Sequence, residues 1–99
     1  MMKDYSWNEE KNKRLKESRG ISFEEVIFYL EKGDGLDVVN NPNQIRYRDQ
    51  KMLVVRINKY VYLVPFVETE KGVFLKTIIP SRKATKIYLR GGKRNDKAQ

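Results

Sequence analysis

Apolar and polar residues alternate with two different periodicities along this chain, one typical of helices and one typical of strands. The clearest helical signal follows Ser22, which has the spacing of a capping box with Glu25. Apolar residues then recur at the i, i+3, i+4 and i+7 positions of one buried stripe. This stripe predicts a helix, ended by Gly33, that covers one face of a sheet. Its members are Phe23, Val26, Ile27 and Leu30.

The residues before this stripe predict a short strand followed by a polar helix. Residues 3–7 have a strand pattern, and either Ser6 or Asn8 can cap the helix after them. Leu15 is the only apolar residue within that helix, so we expect the helix to lie on the surface. Gly20 is suited to end it, because glycine adopts the left-handed conformation of a helix stop.

From residue 36 onwards, short apolar runs separated by turn residues predict strands. Asn58-Lys59 has the length of a two-residue hairpin loop, which places Arg56 on the face opposite Tyr62. Pro65 predicts a bulge or an edge position in its strand, because proline cannot donate to the ladder. The predicted strands cover residues 36–39, 44–48, 52–57, 60–67 and 73–79, with a turn at 40–43.

The order of these elements predicts the fold class. Two helices precede a meander of strands, and Ser81 can cap a short C-terminal helix that runs to about Leu89. We therefore predict an α+β domain with the two N-terminal helices packed on one face of an antiparallel sheet. We predict that residues 1–90 form this single domain and that residues 91–99 form a basic, flexible tail.

Composition removes several classes of chemistry. The chain has no cysteine and no histidine, which excludes disulfides, thiolate catalysis and the commonest general base and metal ligand. No apolar run approaches the roughly 20 residues of a membrane span, and the N-terminus lacks an apolar signal core. We expect a cytoplasmic protein that contacts no membrane and needs no cofactor or metal.

Charge is distributed unevenly between the two halves. Residues 1–49 carry nine Lys/Arg against ten Asp/Glu, a net of −1, whereas residues 50–99 carry twelve against three, a net of +9. A small rigid sheet with concentrated positive charge suits a polyanion, because each phosphate contact releases condensed counterions. The alternative is a domain that is basic for solubility alone, since net charge does not determine fold or partner.

Basic and aromatic residues are interleaved in the second half. Lys and Arg can hold phosphates while Tyr stacks on an unpaired base, which makes RNA the predicted partner. The alternative is that the tyrosines pack in the core and the basic side chains are merely solvated. The residues concerned are Arg56, Lys59, Lys76, Arg82 and Lys83, with Tyr47, Tyr60 and Tyr62.

RNA cleavage without histidine needs another proton acceptor. A Glu, a Tyr or a Lys with a lowered pKa could serve as the base, whereas Arg can only stabilise charge or position phosphate. Asp34 and Asp37 could contribute metal ligands, but two acids without histidine or a third acid are better interpreted as a solvated loop. No Walker, GxGxxG, GxSxG or HExxH motif is present.

Two segments carry a family resemblance. Residues 7–12, Leu15 and residues 20–25 resemble the N-terminal signature of the BrnT-like toxins, and residues 79–86 resemble that family's segment after the last strand. The chain departs from the pattern at Arg19, where the family usually has His. The resemblance extends over residues 5–88.

The resemblance implies a RelE-like fold and a toxin of a type II toxin–antitoxin module, a ribonuclease that arrests translation. It also implies an antitoxin partner with a ribbon-helix-helix domain, through which alone the complex contacts DNA. Arg82 and Lys83 match the family's basic pair beyond the last strand. The predicted catalytic residues are Arg56, Arg82, Lys83 and Tyr62, and the predicted RNA-binding residues are Lys59, Lys76, Tyr60 and Lys86.

Two other functions fit the same residues. The first is a non-catalytic basic module that binds nucleic acid or the ribosome, which would give salt-sensitive RNA binding without product. The second is a protein-interaction domain whose basic face docks an acidic peptide. An acidic antitoxin segment would use the same surface.

Overall fold

The computed structural model describes residues 4–90 and has the predicted α+β architecture. Two helices follow a short first strand, the remaining strands follow the helices, and a short helix ends the described chain. The elements are β1 (Asp4–Ser6), α1 (Glu9–Arg19), α2 (Phe23–Glu31), β2 (Gly35–Asn40), β3 (Lys51–Ile57), β4 (Tyr60–Thr69), β5 (Gly72–Leu75), β6 (Ile79–Pro80) and α3 (Arg82–Thr85), which continues into a π-helical turn, Lys86–Arg90.

Helix α1 begins and ends at residues the sequence indicates. Of the two candidate caps, Asn8 is the one used, and its side-chain oxygen accepts a hydrogen bond from the Lys11 N–H at 2.9 Å. Gly20 ends the helix with a φ of 68°, a conformation that costs glycine least. Leu15 is buried, and so is Asn12, although it is a polar residue on a helix that was expected to lie on the surface.

Asn12 fastens α1 to the start of α2. Its side-chain oxygen accepts a hydrogen bond from the Phe23 N–H at 2.8 Å, and its amide donates to the Glu24 carboxylate at 2.8 Å. That amide bond is the main reason why the pKa of Glu24 is lowered. The predicted capping box of Ser22 and Glu25 is present in both directions. Helix α2 is therefore fixed at its first turn by local and tertiary bonds together.

The strands form one sheet in the order β1-β5-β4-β3-β2, with β6 also paired to β4. The sheet is antiparallel as predicted, except that β1 pairs with β5 in parallel. The chain approaches itself closely there: a Cβ at Gly72, whose φ is 148°, would overlap the Asp4 carbonyl oxygen. Only glycine fits beside β1 at this position.

The central hairpin has the predicted loop and register. Asn58 adopts a φ of 60° in the two-residue loop, and Arg56 pairs with Val61 while Val55 pairs with Tyr62. Asparagine tolerates this left-handed conformation better than most residues. Because side chains alternate along a strand, Arg56 and Tyr62 lie on opposite faces of the sheet.

Pro65 lies within β4, the central strand, and not at a bulge or a sheet edge. It pairs with Met52 on β3, and its carbonyl oxygen accepts a hydrogen bond from the Lys76 N–H at 2.8 Å. On that side β5 has ended and β6 has not begun. The missing proline N–H therefore falls in a gap of the ladder, where it costs no strand–strand bond.

Two of the predicted strands are not continuous strands in the structure. Residues 44–48 belong to a turn-rich loop, because the side chains of Asn43 and Gln44 hydrogen-bond backbone N–H groups within it. Residues 73–79 are not one continuous strand but divide into β5 and β6, and Ile78 between them is fully buried while Ile79 is 40% exposed. The Arg19 guanidinium donates to the Ile78 carbonyl oxygen at 3.1 Å and fixes the interruption to α1.

Each face of the sheet carries its own apolar cluster. Helices α1 and α2 pack on one face around Phe23, Val55 and Leu75, and α3 packs on the other around Val54 and Val61. Within residues 4–90, no helix is long and apolar enough to cross a membrane. The predicted tail, residues 91–99, lies outside the described residues.

Candidate nucleic-acid interface

Helix α3 is attached to β4 through Val61. The Val61 N–H donates to the Thr85 hydroxyl at 2.9 Å, and the Ser81 N–H donates to the Val61 carbonyl oxygen at 3.0 Å. Ser81 also caps α3, as predicted, by accepting a hydrogen bond from the Ala84 N–H at 3.0 Å. These bonds bury Ala84 and Thr85 against the sheet and leave the basic side chains of α3 exposed.

Six of the eight predicted site residues lie on or beside α3. Arg56, Lys59 and Tyr60 line a groove between the tip of the central hairpin and α3, together with Thr85 and Leu89. We call this basic region the α3 surface. It consists of Arg56, Lys59, Arg82, Lys83 and Lys86, all of them exposed.

Arg56 is the most constrained cation of the α3 surface. Its guanidinium contacts the Asp34 carboxylate at 2.7 Å, and its N–H donates to the Asp34 carbonyl oxygen at 2.9 Å. The Asp34 side chain is only 14% exposed, so the expected solvated loop is wrong for this residue. The pair offsets part of the Arg56 charge and holds its guanidinium in one orientation.

Tyr88 and Asp37 form a second polar pair on this side of the sheet. The Tyr88 hydroxyl donates to the Asp37 carboxylate at 2.8 Å. Burial, followed by the hydrogen bond to Asp37, raises the pKa of Tyr88, so the phenol stays protonated at neutral pH. Asp37 lies in β2 and not in a loop. The oriented carboxylate beside a basic surface is a chemically suitable proton acceptor.

The contact between Asp37 and Tyr88 was not predicted from the sequence. Asp37 and Tyr88 are separated by 51 positions. Tyr88 reaches β2 because it lies on a π-helical turn, and the period of such a turn differs from the one that reveals an amphipathic α-helix. The only available signal was Asp37 itself, an acid within an apolar strand.

Tyr60 and Tyr62 lie on the other face of the sheet. Their rings make an edge-to-face contact with centroids 5.6 Å apart, and Tyr62 packs against the cluster beneath α1 and α2. Burial, and to a lesser extent the nearby Glu25 carboxylate, raises the pKa of Tyr62. The structure therefore does not bring Tyr62 to Arg56 or Arg82, and its protonated phenol is a poor base.

Lys76 is also separate from α3. It lies in the connection between β5 and β6, held by its backbone bond to Pro65. Tyr60, at the start of β4, lines the groove of Arg56 and Lys59, whereas the predicted roles of Lys76 and Tyr62 stay predictions without a shared site. Among residues 4–90, no three carboxylate, imidazole or thiol side chains are grouped so that they could hold a metal ion.

No family model, curated protein or solved structure matches the chain. The functional argument therefore depends on the α3 surface and on its two polar pairs.

Proposed function

We propose that this protein is a cytoplasmic toxin of a type II toxin–antitoxin module and that it acts on RNA bound to the α3 surface. One observation carries the proposal: cations are concentrated around α3 while the nearby acids already have partners. Residues 81–90 include four basic and no acidic residues. Asp34 is paired with Arg56, and Asp37 with Tyr88. Such a surface favours phosphates through counterion release.

The proposed partners follow from the same surface and from the family resemblance. The antitoxin would carry a ribbon-helix-helix domain, and the toxin would contact DNA only through it. An acidic antitoxin segment that covers the α3 surface would block RNA, because both ligands need the same cations. Binding of the antitoxin would therefore prevent binding of RNA, and this competition would keep the toxin inactive.

We propose metal-independent cleavage as the toxin's activity, with Asp37 as the base. The 2′-oxygen of RNA attacks phosphorus while its proton passes to the Asp37 carboxylate. The bond from phosphorus to the 5′-oxygen breaks, and that oxygen takes a proton from water. Arg82 and Lys83 would stabilise the charge on the phosphorane oxygens. Tyr88 would position the carboxylate through its hydrogen bond.

A second function, RNA binding without cleavage, is favoured by a different observation. Arg56 already has a carboxylate partner, and Tyr62 lies across the sheet from it. If no side chain accepts the proton of the 2′-hydroxyl, the α3 surface would still bind RNA or the ribosome. It would then inhibit translation by binding alone, without cleavage. Detection of cleaved RNA would distinguish the ribonuclease from the non-catalytic binding module.

Induced expression in bacteria tests the toxin proposal. We expect the parent chain to arrest growth and to create discrete new 5′ ends on abundant messages, detected by primer extension. The α3 double variant, Arg82→Ala with Lys86→Ala, is expected to abolish both effects. The α1 double variant, Lys13→Ala with Arg14→Ala, removes the same charge from exposed helical positions and should remain toxic. A folded parent that neither arrests growth nor binds RNA would contradict the proposal.

Asp37→Asn tests the assigned base. Asparagine keeps the shape and can still accept the Tyr88 hydrogen bond, but it cannot take a proton. We expect the cleavage rate to fall by about 10²- to 10⁴-fold, the usual contribution of a general base, with RNA affinity unchanged. Tyr29→Phe serves as a control because it removes a hydroxyl that donates to Asn58 at 3.1 Å, away from Asp37. Full cleavage by Asp37→Asn would assign the base to another residue.

A further inference from the structure

The loop between β2 and β3, residues 41–50, is ordered by polar side chains and not by the core. The Asn41 amide donates to the Gln50 side chain at 2.8 Å, and the Asn43 side-chain oxygen accepts the Arg46 N–H at 3.1 Å. Ile45 is 99% exposed, so its apolar side chain adds nothing to folding. The loop is thus held in a defined shape although it buries little.

This ordered loop presents an aromatic ring beside cations. Tyr47 is 39% exposed, and the guanidinium carbon of Arg46 lies 5.5 Å from the centroid of its ring. Tyr47, Arg46 and Arg48 line a groove between the loop and the end of β4. A partly exposed aromatic ring beside guanidinium groups is an arrangement that can bind an unpaired base with its phosphate.

The loop adjoins the α3 surface. Pro42 at its start lines one hollow together with Lys83 and Tyr88. A strand of RNA held by Lys83 would reach the groove beside the loop by passing around the end of the sheet, because Lys51 and Phe66 of that groove lie on the face of α1 and α2. Because single-stranded nucleic acid is bound by a basic track combined with stacking platforms, the two regions complement each other.

We propose that Tyr47 is a stacking site for one unpaired base of the RNA strand bound on the α3 surface, with Arg46 and Arg48 contacting the adjoining phosphates. This inference rests on the proposed function and assigns its substrate class, single-stranded RNA. The groove carries Arg46, Arg48 and Lys51 against Asp49 and Glu68, a net of +1. Stacking rather than charge should therefore supply most of the binding at this site.

The affinity of a 12-nucleotide oligouridine for the parent and for Tyr47 variants tests the stacking site. Fluorescence anisotropy of the labelled oligonucleotide gives the dissociation constant. We expect Tyr47→Ala to weaken binding about tenfold, or 1.4 kcal/mol, which is within the usual range for stacking of one base. Tyr47→Phe keeps the ring and should bind within twofold of the parent. A 12-base-pair RNA duplex should not distinguish the variants, because its bases are already stacked.

A second readout reports stacking directly. A 2-aminopurine placed at successive positions of the oligonucleotide should be quenched at one position by the parent and by Tyr47→Phe, but not by Tyr47→Ala. Circular dichroism confirms that each variant is folded. Equal affinity and equal quenching for Tyr47→Ala and the parent would overturn the stacking site. If the α3 double variant still lost affinity, the proposed function would stand; if the parent bound no RNA, both proposals would fail.

Discussion

Phe23→Ala is expected to lower the free energy of unfolding by about 3–5 kcal/mol, the usual cost of removing a fully buried aromatic ring. Phe23 is 0% exposed, and its ring stacks on Trp7 with centroids 5.5 Å apart. It also begins α2, where Asn12 binds its N–H. Small domains have only about 5–15 kcal/mol of stability, so this one change removes a large share of it.

Urea unfolding, followed through the fluorescence of Trp7, measures the effect. Phe28→Ala is a matched control, because it deletes the same atoms from the same helix at a position that is 56% exposed. We expect the control to change the free energy of unfolding by less than about 1 kcal/mol, as for most surface substitutions. Equal losses for the two variants would mean that Phe23 is not at the centre of the core. If Phe23→Ala is insoluble, Phe23→Leu should show a smaller loss in the same direction.

Elements set by neighbouring residues could be predicted from the sequence. The capping box of Ser22 and Glu25 and the hairpin loop at Asn58 each act within four residues, so their signals are complete in a short window. The gap in the ladder beside Pro65 is different. It exists because residues 76–78 leave the sheet, which depends on β4, on β6 and on the Arg19 contact with Ile78.

In the candidate site, too, single residues could be predicted from the sequence but contacts between distant residues could not. The basic residues of α3 were identified because charge is visible in sequence, and the structure confirms that Arg82, Lys83 and Lys86 are exposed. Strand alternation had already placed Arg56 and Tyr62 on opposite faces, so their shared catalytic role stays a prediction without a geometric basis. The contact of Asp37 with Tyr88 could not be predicted, because it joins residues far apart in the chain.

The salt dependence of RNA binding should identify the α3 surface as the place where phosphates bind. Each phosphate contact on single-stranded nucleic acid contributes about −0.7 to the slope of log K against log salt. If Arg82 and Lys86 each contact one phosphate, the α3 double variant should lose about 1.4 from the slope. By the same relation its affinity should be roughly 25-fold below the parent at 0.1 M salt and equal to the parent near 1 M.

The α1 double variant separates local contact from overall charge. Both double variants reduce the net charge from +8 to +6, so long-range attraction to RNA changes equally in the two. If RNA phosphates contact α3, only the α3 double variant should change the slope of log K against log salt by more than a few tenths. Equal slopes for the two variants would show that RNA responds to the net charge of the domain and not to this surface. The convergence near 1 M salt is the sharper criterion, because a variant damaged in folding would bind weakly at every salt concentration.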